Sequence, residues 1–581
     1  MVFRPGLLRP SPNAAGAWPS STIAFTWKGS ERHPGLAARL LTRGDAAPIR
    51  NRGEAIAAAI SAHQLGGTEA PLVSAVERTL TGATAFVPGD RPAQDAASLG
   101  RLLRERSAET IVVLTDKPYG KLARMARRAG AAILPLATTN SWAVVNLTVA
   151  VHAPPHTEIA VLARLAGRTL WASDGTRTPD PDPALTAAAY LILGTRYIDP
   201  ADGAPLTSEA FIDRLIEWQR LSRKVPRIAC FVGISFWKRR RMAEFAGRPV
   251  RFARSTPRAI ALAKAGEGGI AVWPSRAPTG LDAAAAAAGI PLFRVEDGFI
   301  RSRGLGADFI PPASVIIDQR GIYYDASRAS DLEAILTEHA FSPALLDQAG
   351  RLMDLMIARR ITKYNLGGPR QAIVFPDGRC RILVPGQVAN DLSVKAGGAG
   401  VAPGLALLAE VRRRNPDAFI VYKPHPDVEA GHRPGAVPDD ALTQFADLIV
   451  RDVDMPSLIE TVEEVHTVTS LTGFEALLRG RRVVTYGRPF YAGWGLTTDL
   501  YPPPRRGRAL RIEELVAATL IIYPHYLDPV TRLPCGPEHL IEQMDQVDHW
   551  RTGLLVGLRR GQGLFRRNWG RNVMRRIAGV A

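Results

Sequence analysis

Residues 291–309 read "PLFRVEDGFIRSRGLGADF". A short apolar run ends at Val295, follows the Ala-rich "LDAAAAAAG" (281–289), and gives way to two carboxylates, a glycine and two arginines. That is the profile of a buried strand leaving a sheet for a loop. In open parallel sheets, ligands bind outside the carboxyl ends of the strands. Glu296 therefore stands where chemistry is done, while Asp297, Arg301 and Arg303 also admit a plainer reading as a salt-bridged turn.

The same pattern recurs outward from this stretch. "RIACFVGIS", "GIAVWPSR", "RILVPGQ", "AFIVYKPHP", "VHTVTS" and "RRVVTYGRP" are strand-like, each closed by Gly, Pro or Ser. Between them lie the helical "TPRAIALAKAGEG", "GLALLAEVRRRNP" and "LTGFEALLRG". Strand and helix in alternation predict an α/β fold with parallel sheets wound on both faces. Two such sheets fit, roughly 226–340 and 380–500, joined by one long helix over "SPALLDQAGRLMDLMIARRITKYN" (342–365).

The conspicuous polar residues fall at strand ends. Asp391 follows "RILVP", Lys423 and His425 close "AFIVYKPHP", and Ser470 and Thr472 follow "VHTV" at a helix start. Ser470 and Thr472 suit plain helix capping or anion binding at a helix N-terminus. Lys423 and His425 suit a phosphate or a structural loop. "DVD" (452–454) reads as a loop acid pair, and "GADF" and "KAGGAG" lack the spacing of a nucleotide-binding glycine loop.

An internal repeat organises the chain. "ISAHQLGG" (60–67) faces "ITKYNLGG" (361–368), "FVPGDRPAQD" (86–95) faces "LVPGQVAND" (383–391), and "VVLTDKPYGK" (112–121) faces "FIVYKPHPDV" (419–428). Tyr197-Ile-Asp-Pro likewise faces Tyr526-Leu-Asp-Pro. Matches in one order point to a duplicated unit. The copies differ where chemistry is expected: His425 stands against Tyr119, "SLTGFE" against "TEIAVL", and "VEDGFIRS" has no counterpart.

Composition limits the function classes. The 581 residues are 46% hydrophobic with a mean hydropathy of -0.02, and no run is long and apolar enough for a membrane span. The N-terminus lacks a secretory apolar core, and three widely spaced cysteines form neither a disulfide framework nor a zinc site, so a cytoplasmic setting is expected. A formal charge of +18 calls for an anionic partner. Residues 551–581 hold eight arginines, no acid, and interleaved Leu, Phe, Trp and Ile, which suits an anionic membrane surface or a disordered tail. No aromatic-basic motif supports nucleic acid.

The strings "VEDGFIRSRGLGADFIPPASVIID" (295–318), "GIYYDAS" (321–327), "ITKYN" (361–365), "YKPHPDV" (422–428), "TSLTGFEALLRGRRVVTYGRPFYAGWGLT" (469–497) and "IIYPHYLDP" (521–529) strongly resemble the capsule polysaccharide biosynthesis and export family of the KpsC/LipB type. The resemblance implies a GT-B-like pair of facing Rossmann-like domains and a retaining β-Kdo transferase, moving Kdo from CMP-Kdo to a phosphatidylglycerol-derived glycolipid acceptor. It implies Asp391 as nucleophile, Glu296 as acid/base, and His425, Lys423, Ser470 and Thr472 around the CMP phosphate. Arg301 and Arg303 are then expected on a sugar carboxylate and Glu475 on the cytidine ribose, with no metal or cofactor. Transfer of another CMP-activated acidic sugar, or a non-catalytic assembly role, are the alternatives.

Family members typically carry two complete modules, whereas this chain shows one behind a partial copy. The expected domains are an irregular segment (1–53), a degenerate partial repeat (54–222), an acceptor-side domain (226–345), a linker helix with the CMP-sugar domain and return helices (346–548), and a basic membrane-surface tail (551–581). Peripheral attachment to the inner membrane is expected, with other capsule transferases and the exporter as further partners.

Overall fold

Strands covered by helices on both faces are apolar along most of their length, as Ile111–Leu114 and Gly269–Val272 are here. The computed structural model describes residues 22–23 and 47–546, except 66, 69–73, 90, 137–138, 155–156, 173–175, 179–181, 193–196, 199–203, 304–309, 364–374, 376–377, 430–436, 452 and 545. The chain divides into two units, Met1–Lys224 and Val225–Ala581. The expected basic tail and most of the expected N-terminal segment lie outside the described residues.

The first helix of the first unit among the described residues is α1 (Ala47–His63). It begins inside the segment expected to be irregular, because Pro48 is tolerated in a first turn and the Ala-rich run behind it favours helix. β1 (Thr84–Phe86), β2 (Ile111–Leu114), β3 (Ala132–Leu134), β4 (Ala150–His152) and β5 (Leu170–Trp171) form a parallel sheet of order β3-β2-β1-β4-β5. α2 (Pro92–Glu105) follows β1.

The second unit holds two sheets. β6 (Ile228–Val232), β7 (Arg251–Ala253), β8 (Gly269–Val272), β9 (Leu292–Asp297), β10 (Ser314–Asp318) and, from far down the chain, β17 (His525–Tyr526) give the order β7-β6-β8-β9-β10-β17. α3 (Phe236–Ala246) and α4 (Thr256–Gly266) follow β6 and β7. The second sheet is built from β11 (Arg381–Pro385), β12 (Phe419–Lys423), β13 (Leu448–Ile449), β14 (Glu464–Thr467), β15 (Arg482–Thr485) and β16 (Thr498–Asp499), in the wholly parallel order β13-β12-β11-β14-β15-β16. Its first five positions follow the strand order of the first unit's sheet.

Two expectations need correction. The first sheet is mixed: β10 runs antiparallel to β9, and β17 antiparallel to β10. No helix lies among the described residues between β9 and β10, so the chain re-enters the sheet without the crossover that parallel pairing needs. The joining helix α5 (Pro343–Ala358), capped by the Ser342 hydroxyl at 3.3 Å from the Leu345 amide, stops seven residues early. Arg360 takes a left-handed φ of 53° while its guanidinium is held by Asp454 at 3.0 Å and Glu460 at 2.8 Å. Ile316 of β10, Leu352 of α5, Leu383 of β11 and Phe474 of α7 (Leu471–Leu478) share one buried core, which joins the two sheets.

Candidate active site

Glu296 is the penultimate residue of β9, inside the strand rather than beyond it. Its Oε1 accepts from the Asp297 amide at 3.0 Å. Burial, and then the negative charge of Asp297, push its carboxyl up to about 7, against the pull of Lys238 and Lys363. Burial also acts on Asp297, but there Arg301 and Lys238 win and hold the carboxyl well below its usual range. Lys238 Nζ lies 3.1 Å from Asp297 Oδ1 and 3.7 Å from the centre of the Trp273 ring. One acid of the adjacent pair is thus fixed as an anion while the other titrates near neutrality, which is how neighbouring carboxyls come to serve different roles.

Arg301 does not serve as expected. It is fully buried, and its guanidinium donates to Asp297 Oδ2 at 2.8 Å, Ser302 Oγ at 2.7 Å and the Ile310 carbonyl at 2.8 Å. A guanidinium enclosed in this way braces the turn and has no face to offer a sugar carboxylate. Arg303 is exposed and donates to the carbonyl of Met544 at 2.8 Å, tethering its loop to the end of α8 (Pro537–Met544). The salt-bridged turn is the reading that holds for Asp297 and Arg301.

Asp391 is exposed and caps α6 (Leu392–Gly397), accepting from the Ser393 amide at 3.3 Å. What relates it to Glu296 is Tyr324. That residue is 9% exposed, and its hydroxyl makes no hydrogen bond among the described residues. Burial first, then Glu296, Tyr323 and Asp391, raise the phenol, so it stays protonated. A carboxyl from each sheet therefore acts on one partnerless hydroxyl. α6 also packs on the same residue: a Cβ at Gly397 would lie 3.3 Å from the Tyr324 carbonyl.

Lys363, just beyond α5, acts electrostatically on Glu296, Asp297 and Glu475. Its amide donates to Glu475 Oε1 at 3.3 Å, and its carbonyl accepts from the Arg301 amide at 3.1 Å. Glu475 is buried in α7, and burial raises its carboxyl to about 7 against Arg479 and Lys363. Its place is under the main chain of Lys363, so the expected ribose role has only its second oxygen to rest on. Neither Tyr324 nor Lys363 was singled out from sequence, although "GIYYDAS" and "ITKYN" contain them.

At the carboxyl ends of β11, β12 and β14, three loops are laced together. Gln387 Oε1 accepts from the amides of Val468 and Thr469, each at 3.2 Å, and from the Thr467 hydroxyl at 3.1 Å, while its Nε2 donates to Thr469 Oγ1 at 3.0 Å. Gly386 lies so close to the next strand that a Cβ would sit 2.8 Å from the His425 amide nitrogen. The loops bearing Asp391, His425 and Ser470 are thus neighbours. Ser470 caps α7 through the Thr472 amide at 3.2 Å, and its hydroxyl donates to Thr472 Oγ1 at 3.1 Å. Lys423 Nζ donates to the Arg451 carbonyl at 2.9 Å. Asp454 of the "DVD" string is taken by Arg360, and no cluster of metal-ligating side chains occurs among the described residues.

The family described as "Capsule polysaccharide biosynthesis protein" matches residues 269–526. "Capsule polysaccharide modification protein LipA" of Neisseria meningitidis serogroup A is 41% identical over 357 residues, 61% of this chain and 50% of that protein. "Lipopolysaccharide-processing protein LpsZ" of Rhizobium meliloti is 37% identical over 337 residues, 55% of this chain and 74% of that one. The chain spans about half the length of the LipA relatives it matches. Among solved structures, "Thermosulfurimonas dismutans KpsC, beta Kdo 2,7 transferase" is 36% identical over 55% of this chain and 99% of that chain, with a TM-score of 0.46. The corresponding "beta Kdo 2,4 transferase" is 31% identical over 55% and 98%, with a TM-score of 0.49. The fold is α/β and GT-B-like, with two Rossmann-like sheets in one body.

Proposed function

Because the chain belongs to the capsule polysaccharide biosynthesis family, we propose that it is a retaining glycosyltransferase that moves Kdo from CMP-Kdo to a lipid-linked acceptor. The donor class rests on the sequence strings shared with that family. The observation that carries the chemistry is that Glu296, poised near neutrality, and the exposed Asp391 both act electrostatically on the Tyr324 hydroxyl, which has no hydrogen-bond partner among the described residues.

In this reading the Asp391 carboxylate attacks the anomeric carbon, the bond from that carbon to the CMP phosphate breaks, and CMP leaves with the electron pair. The sugar is then held as an ester of Asp391. The acceptor hydroxyl attacks the same carbon, Glu296 takes its proton, and the bond to Asp391 breaks. Two displacements restore the configuration. His425, Lys423 and the amino end of α7 meet the charge that grows on the departing phosphate, in place of a metal. Tyr324, kept protonated, donates to the sugar between the two carboxyls. The first unit is a partial copy that serves as scaffold, and the basic residues 551–581 attach the protein to an anionic membrane.

The test is transfer itself. Purified protein supplied with CMP-Kdo generated in situ and a lipid acceptor analogue should give a product larger by one Kdo. Transfer from a CMP-activated sialic acid at a comparable rate, or from neither donor, would overturn the assignment.

A further inference from the structure

The loops at the carboxyl ends of β6, β7 and β8 form one continuous surface. Arg276 Nη1 donates to Ser235 Oγ at 2.7 Å, and a Cβ at Gly233 would sit 2.9 Å from the Arg276 carbonyl, so the loops after β6 and β8 touch. Thr256 Oγ1 donates to the Thr279 carbonyl at 3.4 Å, which brings in the loop after β7. On this surface Phe236 is 72% exposed. Arg254, Arg258 and Arg276 are exposed there too, and none has a carboxylate partner among the described residues.

The acids nearby are already engaged: Glu244 with Arg240 and Arg241, Asp282 with Arg294, and Asp297 with Lys238 and Arg301. Residues 227–276 hold eleven Lys and Arg against two Glu, which is half of the chain's formal +18. An exposed ring alone needs no explanation. A ring at the start of α3 among three guanidinium groups with no carboxylate partner among the described residues, on adjoining strand-to-helix segments, does, because an interfacial aromatic and phosphate-seeking cations are the two signals that dock a protein on charged lipid. Arg254 and Arg258 flank the start of α4 and Arg276 follows β8, so the cations are spread over two segments of one surface.

We infer that this face, centred on Phe236 with Arg254, Arg258 and Arg276, rests on an anionic lipid bilayer. It lies at the same sheet end as Glu296, so docking would present the candidate site to an acceptor held in the membrane. The inference is separate from residues 551–581; only its transfer control rests on the function proposed above, while vesicle binding and exchange test it without that function.

Hydrogen exchange of the full chain, read peptide by peptide, tests it. Vesicles of phosphatidylcholine with phosphatidylglycerol should slow exchange in 233–240, 253–258 and 274–280, and vesicles of phosphatidylcholine alone should not. The fourfold variant Phe236→Ser, Arg254→Gln, Arg258→Gln, Arg276→Gln should bind anionic vesicles at least about tenfold more weakly, with an unchanged Tm and unchanged transfer to a water-soluble acceptor. If the full chain binds vesicles while these three loops exchange freely, or the variant binds as well as the parent, the inference is wrong. Equal protection by a short oligonucleotide would replace lipid with nucleic acid as the partner. Loss of transfer to the soluble acceptor would point instead to damage at the site.

Discussion

The sheet of the first unit and the second sheet of the second unit share a strand order, and each is followed by the same small tether. Tyr197 donates to the Leu191 carbonyl at 2.7 Å and Tyr526 to the Leu520 carbonyl at 2.7 Å, each reaching back six residues. They part company at the carboxyl ends of their strands. After β11, Asp391 is exposed at a helix cap; after β1, Asp95 is 3% exposed inside α2, accepting from the Gly89 amide at 3.1 Å. After β12 stands His425, packed against Gly386; after β2 stands Tyr119, 81% exposed with an Arg127 guanidinium 5.7 Å from its ring centre. A framework of buried strands persists on apolar burial, whereas the polar residues at its strand ends are free to diverge: the first unit's loop is one residue longer, and its carboxylate lies inward.

That contrast can be broken by paired substitutions. Asp391→Ala should lower transfer by about 10³-fold or more, as expected for loss of a nucleophile, while Asp95→Asn, which keeps the contact to Gly89, should leave transfer unchanged. His425→Ala should cost about 10²-fold in kcat, the scale of losing one donor to a developing anion, and Tyr119→Ala nothing. If both members of either pair respond alike in a steady-state assay, the first unit takes part in the chemistry. Tyr324→Phe removes one oxygen that has no hydrogen-bond partner among the described residues. It should leave Tm level or slightly higher, because an unsatisfied buried hydroxyl is gone, and lower kcat about tenfold. A fall in Tm without a kinetic effect would make Tyr324 structural.

The smallest effect concerns pH. Glu475 has its carboxyl raised from 4.5 to about 7. The folded state therefore holds its proton more tightly than the unfolded chain, so this contribution is complete below pH 4.5 and is lost as pH rises through about 7. At about 1.4 kcal/mol per unit, the loss is at most roughly 3.5 kcal/mol. Glu475→Gln should flatten the decline in Tm between pH 5 and 8. Glu296 adds a slope of the same sign, and as the proton acceptor it should make transfer rise with pH through about 7.

Much of this was legible in sequence because it is local. Apolar runs closed by Gly or Pro located the strands, and the position of Glu296, Asp391, His425 and Ser470 at strand ends followed from them. The pairing of β17 with β10 joins residues more than two hundred positions apart, which no local pattern encodes. The burial of Arg301 is not legible in its loop-like neighbours, because the carbonyls that hold its guanidinium and amide come from Ile310 and Lys363. Tyr324 and Lys363 acquire meaning only through what the fold brings beside them.

The most direct test is the mass of the Glu296→Gln protein after exposure to CMP-Kdo without acceptor, followed by peptide mapping. With the nucleophile intact and the proton acceptor removed, one Kdo should accumulate as an ester on the peptide that contains Asp391. No adduct, or an adduct on any other residue, would contradict the proposed pairing of these two carboxyls.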